Sequence, residues 1–434
     1  THGELPPTTV FKTVALNHSA TCPLTKCPLA IQQSDGKGRC GLSGLLPATG
    51  CGLAGTKAFH TMDTMCQYTP FNRNGGHVRI NRKFWLSTLI CTSACLFGPA
   101  STAQNIATPT TESANDAHEA GFRAYLGQVR QKALTEGVSA TTLDRVLPSI
   151  SFNARVVRLD RQQPEGASNA PVPNFAPYKA RHVDASRISR GRAKYTELRP
   201  LLQRIENETG VPEEIMIAIY GHETNYGSVM GNFNAPEALA SLAYEGRRRA
   251  LFEAELIAVL KMIDKGVPQY AITGSWAGAL GKPQFLPSVY LRLARDGDGD
   301  GYADIWRSEV DAMTSIANYF VNTGWRRGEE WGFAVNVPAS FNRAALNSRM
   351  ASPRCPRVFG RHSQWKTIAE WRALGITPER GFWPKDSMMA TLIEPDGVGR
   401  TAYLLGGNYR VILDYNCSNF YALSVGLLAD AVRN

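Results

Sequence analysis

The sequence predicts a mainly α chain of the α+β class, with one small β-containing part inserted late. Three observations carry this. Apolar residues recur at helical spacing from about His118 onward. The central stretch EEIMIAIYGHE (213–223) is apolar on nearly every side, as a buried helix is. Short β-prone runs begin at about residue 331.

Taken in order, residues 104–117 (QNIATPTTESANDA) read as a polar linker. Phe122, Leu126, Val129 and Ala133 then mark one helix, stopped at Gly137. Ser139 or Thr141 can cap a second, which carries Leu143 and Val146. Four prolines break the stretch 161–178 into irregular chain, and helix resumes near Val183, running with interruptions to Glu208. Gly210-Val211-Pro212 is a turn, with Pro212 suited to the first position of the buried central helix. A helix over about 247–265 carries Leu251, Phe252, Leu256, Val259, Leu260 and Ile263; Gly266 and Pro268 close it. Another covers about 309–323 and ends at Gly324. Trp331–Val337 and Tyr409–Leu413 read as β-prone, and a final helix spans about 418–432. Internal repeats are absent from the sequence.

The 434 residues are 43% hydrophobic and 19% charged, an ordinary globular composition. The net charge of +10 is uneven: residues 1–103 hold nine Lys/Arg against three Asp/Glu, and the remainder holds 38 against 34. So mild an excess does not demand nucleic acid; it suits an anionic cell wall, and equally an ordinary solvated surface. Cys22, Cys27, Cys40, Cys51, Cys66, Cys91 and Cys95 precede residue 96, at spacings that match no zinc pattern; Cys355 and Cys417 follow.

Arg79, Arg82 and Lys83, the apolar run Phe84–Phe97, and small residues Ser101 and Ala103 compose a secretory signal peptide over 78–103. Export to the periplasm is expected, with an uncleaved membrane anchor as the alternative. Residues 1–77 lack apolar periodicity and are expected to be disordered or to come from a mis-assigned start, with translation beginning near Met65 or Val78. In an oxidising compartment Cys355 and Cys417 can pair.

The chemistry centres on Gly221-His222-Glu223-Thr224-Asn225-Tyr226-Gly227, where the buried helix ends in a carboxylate at a glycine-bounded turn. Desolvation raises a carboxyl pKa, which suits a general acid at neutral pH. Glycosidic cleavage requires such an acid. On this motif alone, a Glu that merely caps or salt-bridges the helix end fits equally well.

GVPEEIMIAIYGHETNYG (210–227) resembles the catalytic signature of lytic murein transglycosylases of the membrane-bound lytic transglycosylase B type. SWAGALGKPQFLPSVY (275–290) and NYRVILDYNCSNFYALSV (408–425) resemble the family's second and third signatures, in the same order. The resemblance runs from about His118 to the end of the chain. It implies a lysozyme-like helical core, a catalytic domain over 118–434, and a β-containing part at about 331–414. It implies Glu223 as the catalytic acid. It places Ser275, Gln284, Tyr415, Asn416 and Tyr421 against the sugar, with Tyr226 as a further stacking ring. It places Arg247 and Arg248 near the peptide side of the substrate; a solvated helix face is the plainer reading of that arginine run. Each polar or aromatic residue, taken alone, is as readily core or loop.

The implied reaction cleaves the β-1,4 bond between N-acetylmuramic acid and N-acetylglucosamine and yields 1,6-anhydromuramyl ends. Substrate assistance replaces a second carboxylate; Asp414, next to Tyr415 at an expected strand end, is the alternative carboxylate. The expected partner is the peptidoglycan glycan strand, not nucleic acid. The protein is expected to be a monomer, with wall synthesis or remodelling proteins as candidate associates. A lysozyme-type hydrolase or a non-catalytic wall-binding protein are the competing readings.

Asp296-Gly-Asp298-Gly-Asp300-Gly301-Tyr302 begins as an EF-hand loop does. The twelfth position holds Arg307 where that pattern needs Glu. The resemblance supplies the last ligand from a later Asp, for which Asp311 fits and Glu309 fits less well. A structural Ca2+ or Na+ is therefore expected on Asp296, Asp298, Asp300, the Tyr302 carbonyl and Asp311, with Asp304 in direct or water-bridged contact. No organic cofactor is expected.

Overall fold

The computed structural model describes residues 111–163, 172–348 and 355–433. The upstream extension, the signal peptide and the linker as far as residue 110 lie outside the described residues.

Helix α1 (Thr111–Thr135) starts earlier than expected: residues 111–117 extend the helix and are not linker. Glu112, Ala114 and Ala117 are strong helix formers, and no glycine intervenes before Gly121. Its buried face is Phe122, Leu126, Val129 and Ala133. Helix α2 (Ala140–Val146) follows, its first turn capped by Ser139, whose hydroxyl accepts from Thr142 N. Asn153 caps α3 (Ala154–Arg161) in the same way. The stretch expected to be irregular already holds the start of α4 (Ala176–His182), with Pro177 in its first turn. Asp184 caps α5 (Ala185–Glu197), and α6 (Arg199–Thr209) closes on left-handed Gly210.

Helix α7 (Glu213–Thr224) is the axis of the core. Ile215, Met216, Ile217, Ala218, Ile219 and Tyr220 are all at most 2% exposed. It packs against α5, α6, α11 (Glu309–Asn322) and the last helix, α15 (Asn419–Arg433). Each fully buried aliphatic side chain on it stabilises the fold by about 1.5–3 kcal/mol. Helices α8 (Ala235–Glu245) and α9 (Arg249–Asp264) pack against one another beside this core, and short α10 (Pro287–Leu293) lies against α9. Strands β1 (Phe233–Asn234) and β2 (Thr273–Gly274) pair antiparallel, Phe233 opposite Gly274.

The late β part is a five-stranded antiparallel sheet in the order β4-β6-β7-β3-β5. Its strands are β3 (Gly332–Asn336), β4 (Lys366–Thr367), β5 (Thr377–Pro378), β6 (Met389–Ile393) and β7 (Ala402–Leu405). Helix α12 (Pro356–Phe359) precedes β4. Helix α13 (Ile368–Ala373) opens on a capping box between Thr367 and Glu370. Val335, Ile368, Trp371, Ile376, Ala390, Leu392, Ala402 and Leu404 form a separate small core.

Tyr409–Leu413, expected as strand, is helical: it lies within α14 (Gly407–Tyr415). Tyr409, Val411, Ile412, Leu413 and Tyr415 are all buried and Arg410 alone in the run is partly exposed, so its periodicity cannot separate strand from helix. Asp414 is accordingly in the last turn of a helix, not at a strand end. A disulfide joins Cys355, beside α12, to Cys417 in the turn between α14 and α15.

Candidate active site

Glu223 lies in the last turn of α7 and is 4% exposed. The chain then reverses sharply, because Asn225, Tyr226 and Gly227 are all left-handed, at φ 51°, 59° and 81°. That reversal folds the Tyr226 ring back over Gly221, where a Cβ would stand 2.6 Å from the ring. Tyr226 was expected against the sugar. The structure instead buries it as a wedge between α5 and α7, its hydroxyl donating to Arg187 O at 2.9 Å. The ring packs edge-on against Tyr220, at 5.9 Å.

Helix α15 crosses α7 and brings Tyr421, distant in sequence, to the acid: its hydroxyl donates to Glu223 Oε1 at 2.7 Å. Tyr415 is wholly buried at the end of α14, and its hydroxyl donates to Pro283 O at 2.6 Å. Tyr178 on α4 closes a third side. Burial first, and the Glu223 charge second, push the Tyr178 hydroxyl up to about 12. The same two causes, in the same order, raise Tyr415 and Tyr421 well above the usual tyrosine value. The Glu223 charge acts on all three hydroxyls.

The second expected signature folds as two tight turns. Ser275 N bonds Ala279 O while Ala279 N bonds Ser275 Oγ, and Leu280 pairs with Phe285. Gln284, fully buried at φ 51°, stands at the second turn. Its Nε2 donates to Gly281 O and Met230 O, at 2.9 and 3.1 Å. Gln284 Oε1 is buried with no hydrogen-bond partner, and so is Asn416 Oδ1. Buried acceptors left open in this way cost free energy until a donor arrives. Thr224, next to Glu223, donates through Oγ1 to Lys282 O at 3.3 Å, which ties these turns to the acid.

Arg247 and Arg248 sit just before α9, Arg248 at its N-cap. Both engage Asp160, which is 1% exposed, and Arg247 also donates to Gln163 O at 3.1 Å. Arg248 stacks over Phe252 at 4.7 Å. The helix-opening arginines thus meet a buried carboxylate from α3, a contact that sequence could not reveal.

Reading the sequence missed a stack of three rings behind the acid. Tyr178 stacks on His182 at 3.8 Å, and His182 lies parallel to His222 at 5.9 Å. Burial lowers both histidines, His222 to about 3, so each is neutral at neutral pH and adds no positive charge beside Glu223. The prolines that made 161–178 read as irregular hid Tyr178. The His222 neighbour of the acid was visible, but its partner was not.

In the acidic loop, carboxylate oxygens of Asp296, Asp298 and Asp311 lie within 4.8 Å of one another. Asp311 is wholly buried; it accepts from Gly297 N and from Asp304 N, both at 2.7 Å, and so pins the two ends of the loop. Burial first, then the charges of Asp298 and Asp296, push its carboxyl up. A cation would neutralise this cluster, and its all-oxygen donor set suits a hard ion. Asp300 takes Tyr302 N at 2.9 Å and is not among the three clustered groups. Glu309, the weaker alternative ligand, instead accepts from Tyr220 and Lys194 at 2.8 and 2.9 Å.

A buried carboxylate bonded by a tyrosine, with open amide oxygens on the two other signature segments and a helical core beneath, suits a glycan-cleaving acid site. Comparison with known proteins gives the particular kind. The transglycosylase SLT domain family model matches residues 121–430, and the chain belongs to that family. It is 32% identical over 303 residues to membrane-bound lytic murein transglycosylase B of Escherichia coli, covering 68% of this chain and 79% of that protein. The crystal structure of SltB3 from Pseudomonas aeruginosa with NAG-anhNAM-pentapeptide is similar at 37% identity and TM-score 0.64, over 72% of this chain and 80% of that one. The structure of the Escherichia coli lytic transglycosylase Slt35 with calcium is similar at 29% identity and TM-score 0.57, over 71% and 92%. The family and its neighbours share the lysozyme-like fold expected from sequence.

Proposed function

We propose that the protein is a lytic transglycosylase that cleaves peptidoglycan between N-acetylmuramic acid and N-acetylglucosamine. The observation that carries this is Glu223, buried, held by Tyr421 at 2.7 Å, its charge acting on the tyrosines Tyr178, Tyr415 and Tyr421. Glu223 gives its proton to the bridging oxygen as the bond to muramyl C1 breaks, and the N-acetylglucosamine side leaves with a hydroxyl. The N-acetyl carbonyl of the muramyl sugar stabilises C1 in place of a second carboxylate. The Glu223 carboxylate, steadied by the Tyr421 hydroxyl, then takes the proton of the C6 hydroxyl, and C6 oxygen closes onto C1. Water is not consumed, Glu223 ends protonated, and the product is the 1,6-anhydro sugar. The similarity to SltB3, captured with NAG-anhNAM-pentapeptide, supports this outcome.

In this reading Gln284 Oε1 and Asn416 Oδ1 accept from substrate N–H or O–H groups, and Ser275 lines the turn before that of Gln284. Tyr178 offers the stacking face first expected of Tyr226. Arg247 and Arg248, held by Asp160, stand toward the peptide side. Asp296, Asp298 and Asp311 would hold Ca2+ or Na+, with Asp300, Asp304 and the Tyr302 carbonyl next in reach; the calcium complex of Slt35 supports the ion. Its role is to hold the loop. Export to the periplasm through residues 78–103 suits the substrate. No described helix is long and apolar enough to cross a membrane.

Mass spectrometry of muropeptides released from purified peptidoglycan tests the proposal, with a Glu223→Gln variant alongside. Anhydromuramyl products from wild type, and a loss of about 10²–10⁴ in rate for the variant, are expected. Products heavier by one water would make the protein a lysozyme-type hydrolase instead.

A further inference from the structure

Lys282 is a cation buried at 8% exposure, and it makes no ion pair among the described residues. A buried ammonium is costly unless fully hydrogen-bonded, so what it bonds is informative. Its Nζ donates to Trp306 O at 2.6 Å and Arg307 O at 2.9 Å. Its backbone N–H donates to Ile305 O at 2.8 Å. One residue thereby grips three successive carbonyls in the segment leaving the acidic loop. Gly281, at φ 61°, is packed so closely there that a Cβ would stand 2.7 Å from Ile305 O. The two segments cannot slide past one another.

The other side of the same turn faces the acid site. Lys282 O accepts from Thr224, Pro283 O accepts from Tyr415, and Gln284 presents the open Oε1. Residues 281–284 are therefore strapped between the acidic loop and the cleft, and the Lys282 side chain is the strap on the loop side.

We propose that Lys282 is a positioning residue: its ammonium clamps the exit of the acidic loop to the turn that bears Gln284, and so fixes the Gln284 carboxamide for the sugar. This rests on the glycan-cleaving function proposed above. Lys282 does not touch the reacting atoms and acts through Gln284. Removing the ammonium leaves only the backbone bond to Ile305 O and the Gly281 packing, which loosens the turn, and the glycan contact made by Gln284 weakens although its side chain is intact.

A double-mutant cycle on glycan binding tests this, with Glu223→Gln as background so that no turnover occurs and chitotetraose as probe. Lys282→Met is expected to weaken binding by about tenfold, the size of one hydrogen bond lost. Combined with Gln284→Ala, it is expected to add no further loss, because residues acting as one unit are not additive. Lys282→Arg, which keeps donors for the carbonyls, is expected to restore most of the affinity. Should Lys282→Met fail to fold, Lys282→Gln, which keeps one donor, takes its place in the cycle. Additive losses, or wild-type affinity in the Lys282 variant, would overturn the proposal alone. No chitotetraose binding by the background protein would remove the functional reading and this inference with it.

Discussion

Tyr421→Phe removes one oxygen and leaves the packing. The ring is 6% exposed and lies 5.5 Å from His222, and Phe fills the same space. What is lost is the 2.7 Å bond to Glu223 Oε1. A hydrogen bond to a charged group contributes about 1.5–3 kcal/mol. In the proposed reaction Glu223 is the proton donor and gains negative charge as the proton leaves, so this bond strengthens toward the transition state. Only interactions stronger there than in the ground state accelerate the reaction. The same bond to the neutral acid contributes about 0.5–1.5 kcal/mol, so the difference that counts is about 1–1.5 kcal/mol, and at 1.4 kcal/mol per tenfold kcat is expected to fall by about 5–10-fold. KM is expected to change little, because the hydroxyl serves the acid and not the sugar. Initial rates of anhydromuropeptide release measure both parameters. A kcat within about twofold of wild type would refute the argument, since even the weaker bound predicts about fivefold.

Other perturbations follow from the same structure. Adding Ca2+ at about 100 times its Kd is expected to stabilise the fold by about 2.7 kcal/mol, read as a rise in Tm that Asp311→Asn abolishes; an unchanged Tm with and without chelator would sink the ion assignment. Reducing the Cys355–Cys417 bridge, which spans 62 residues, is expected to cost about 4 kcal/mol on chain-entropy grounds, seen as a lower Tm that Cys417→Ser reproduces. His362 is buried between Thr391 and Asn419 Oδ1, and burial lowers it to about 4. Its folded value lies below its unfolded one, so the unfolded chain binds the proton first. Stability is expected to fall as pH drops from about 6.5 to about 4, by about 1.4 kcal/mol per pH unit. A His362→Gln variant, with a flatter profile of Tm against pH over that window, is the check; an unchanged slope would refute it.

The order of the helices, the burial of α7 and the place of Glu223 were legible in the sequence. Local patterns encode them: an all-apolar run of helical length, a proline at its start and a glycine-bounded stop at its end. The acidic loop was legible too, because its aspartates alternate with glycines within a few residues. Tyr226 and Tyr409–Leu413 show where local pattern fails. An aromatic ring beside an acid reads the same whether it faces a sugar or Gly221, and a run buried on nearly all sides carries no period. Tertiary structure alone decided the rest. Tyr421 meets Glu223 at a sequence separation of 198, Arg248 finds Asp160 at 88, and Lys282 reaches the carbonyls of 306 and 307. Those partners are chosen by how helices cross, and helix crossing depends on side-chain packing summed over the whole core. The sequence by itself therefore pointed to Glu223 as the acid of the proposed reaction and to the helix that carries it. The fold determined what holds that acid, because each supporting group comes from an element distant along the chain.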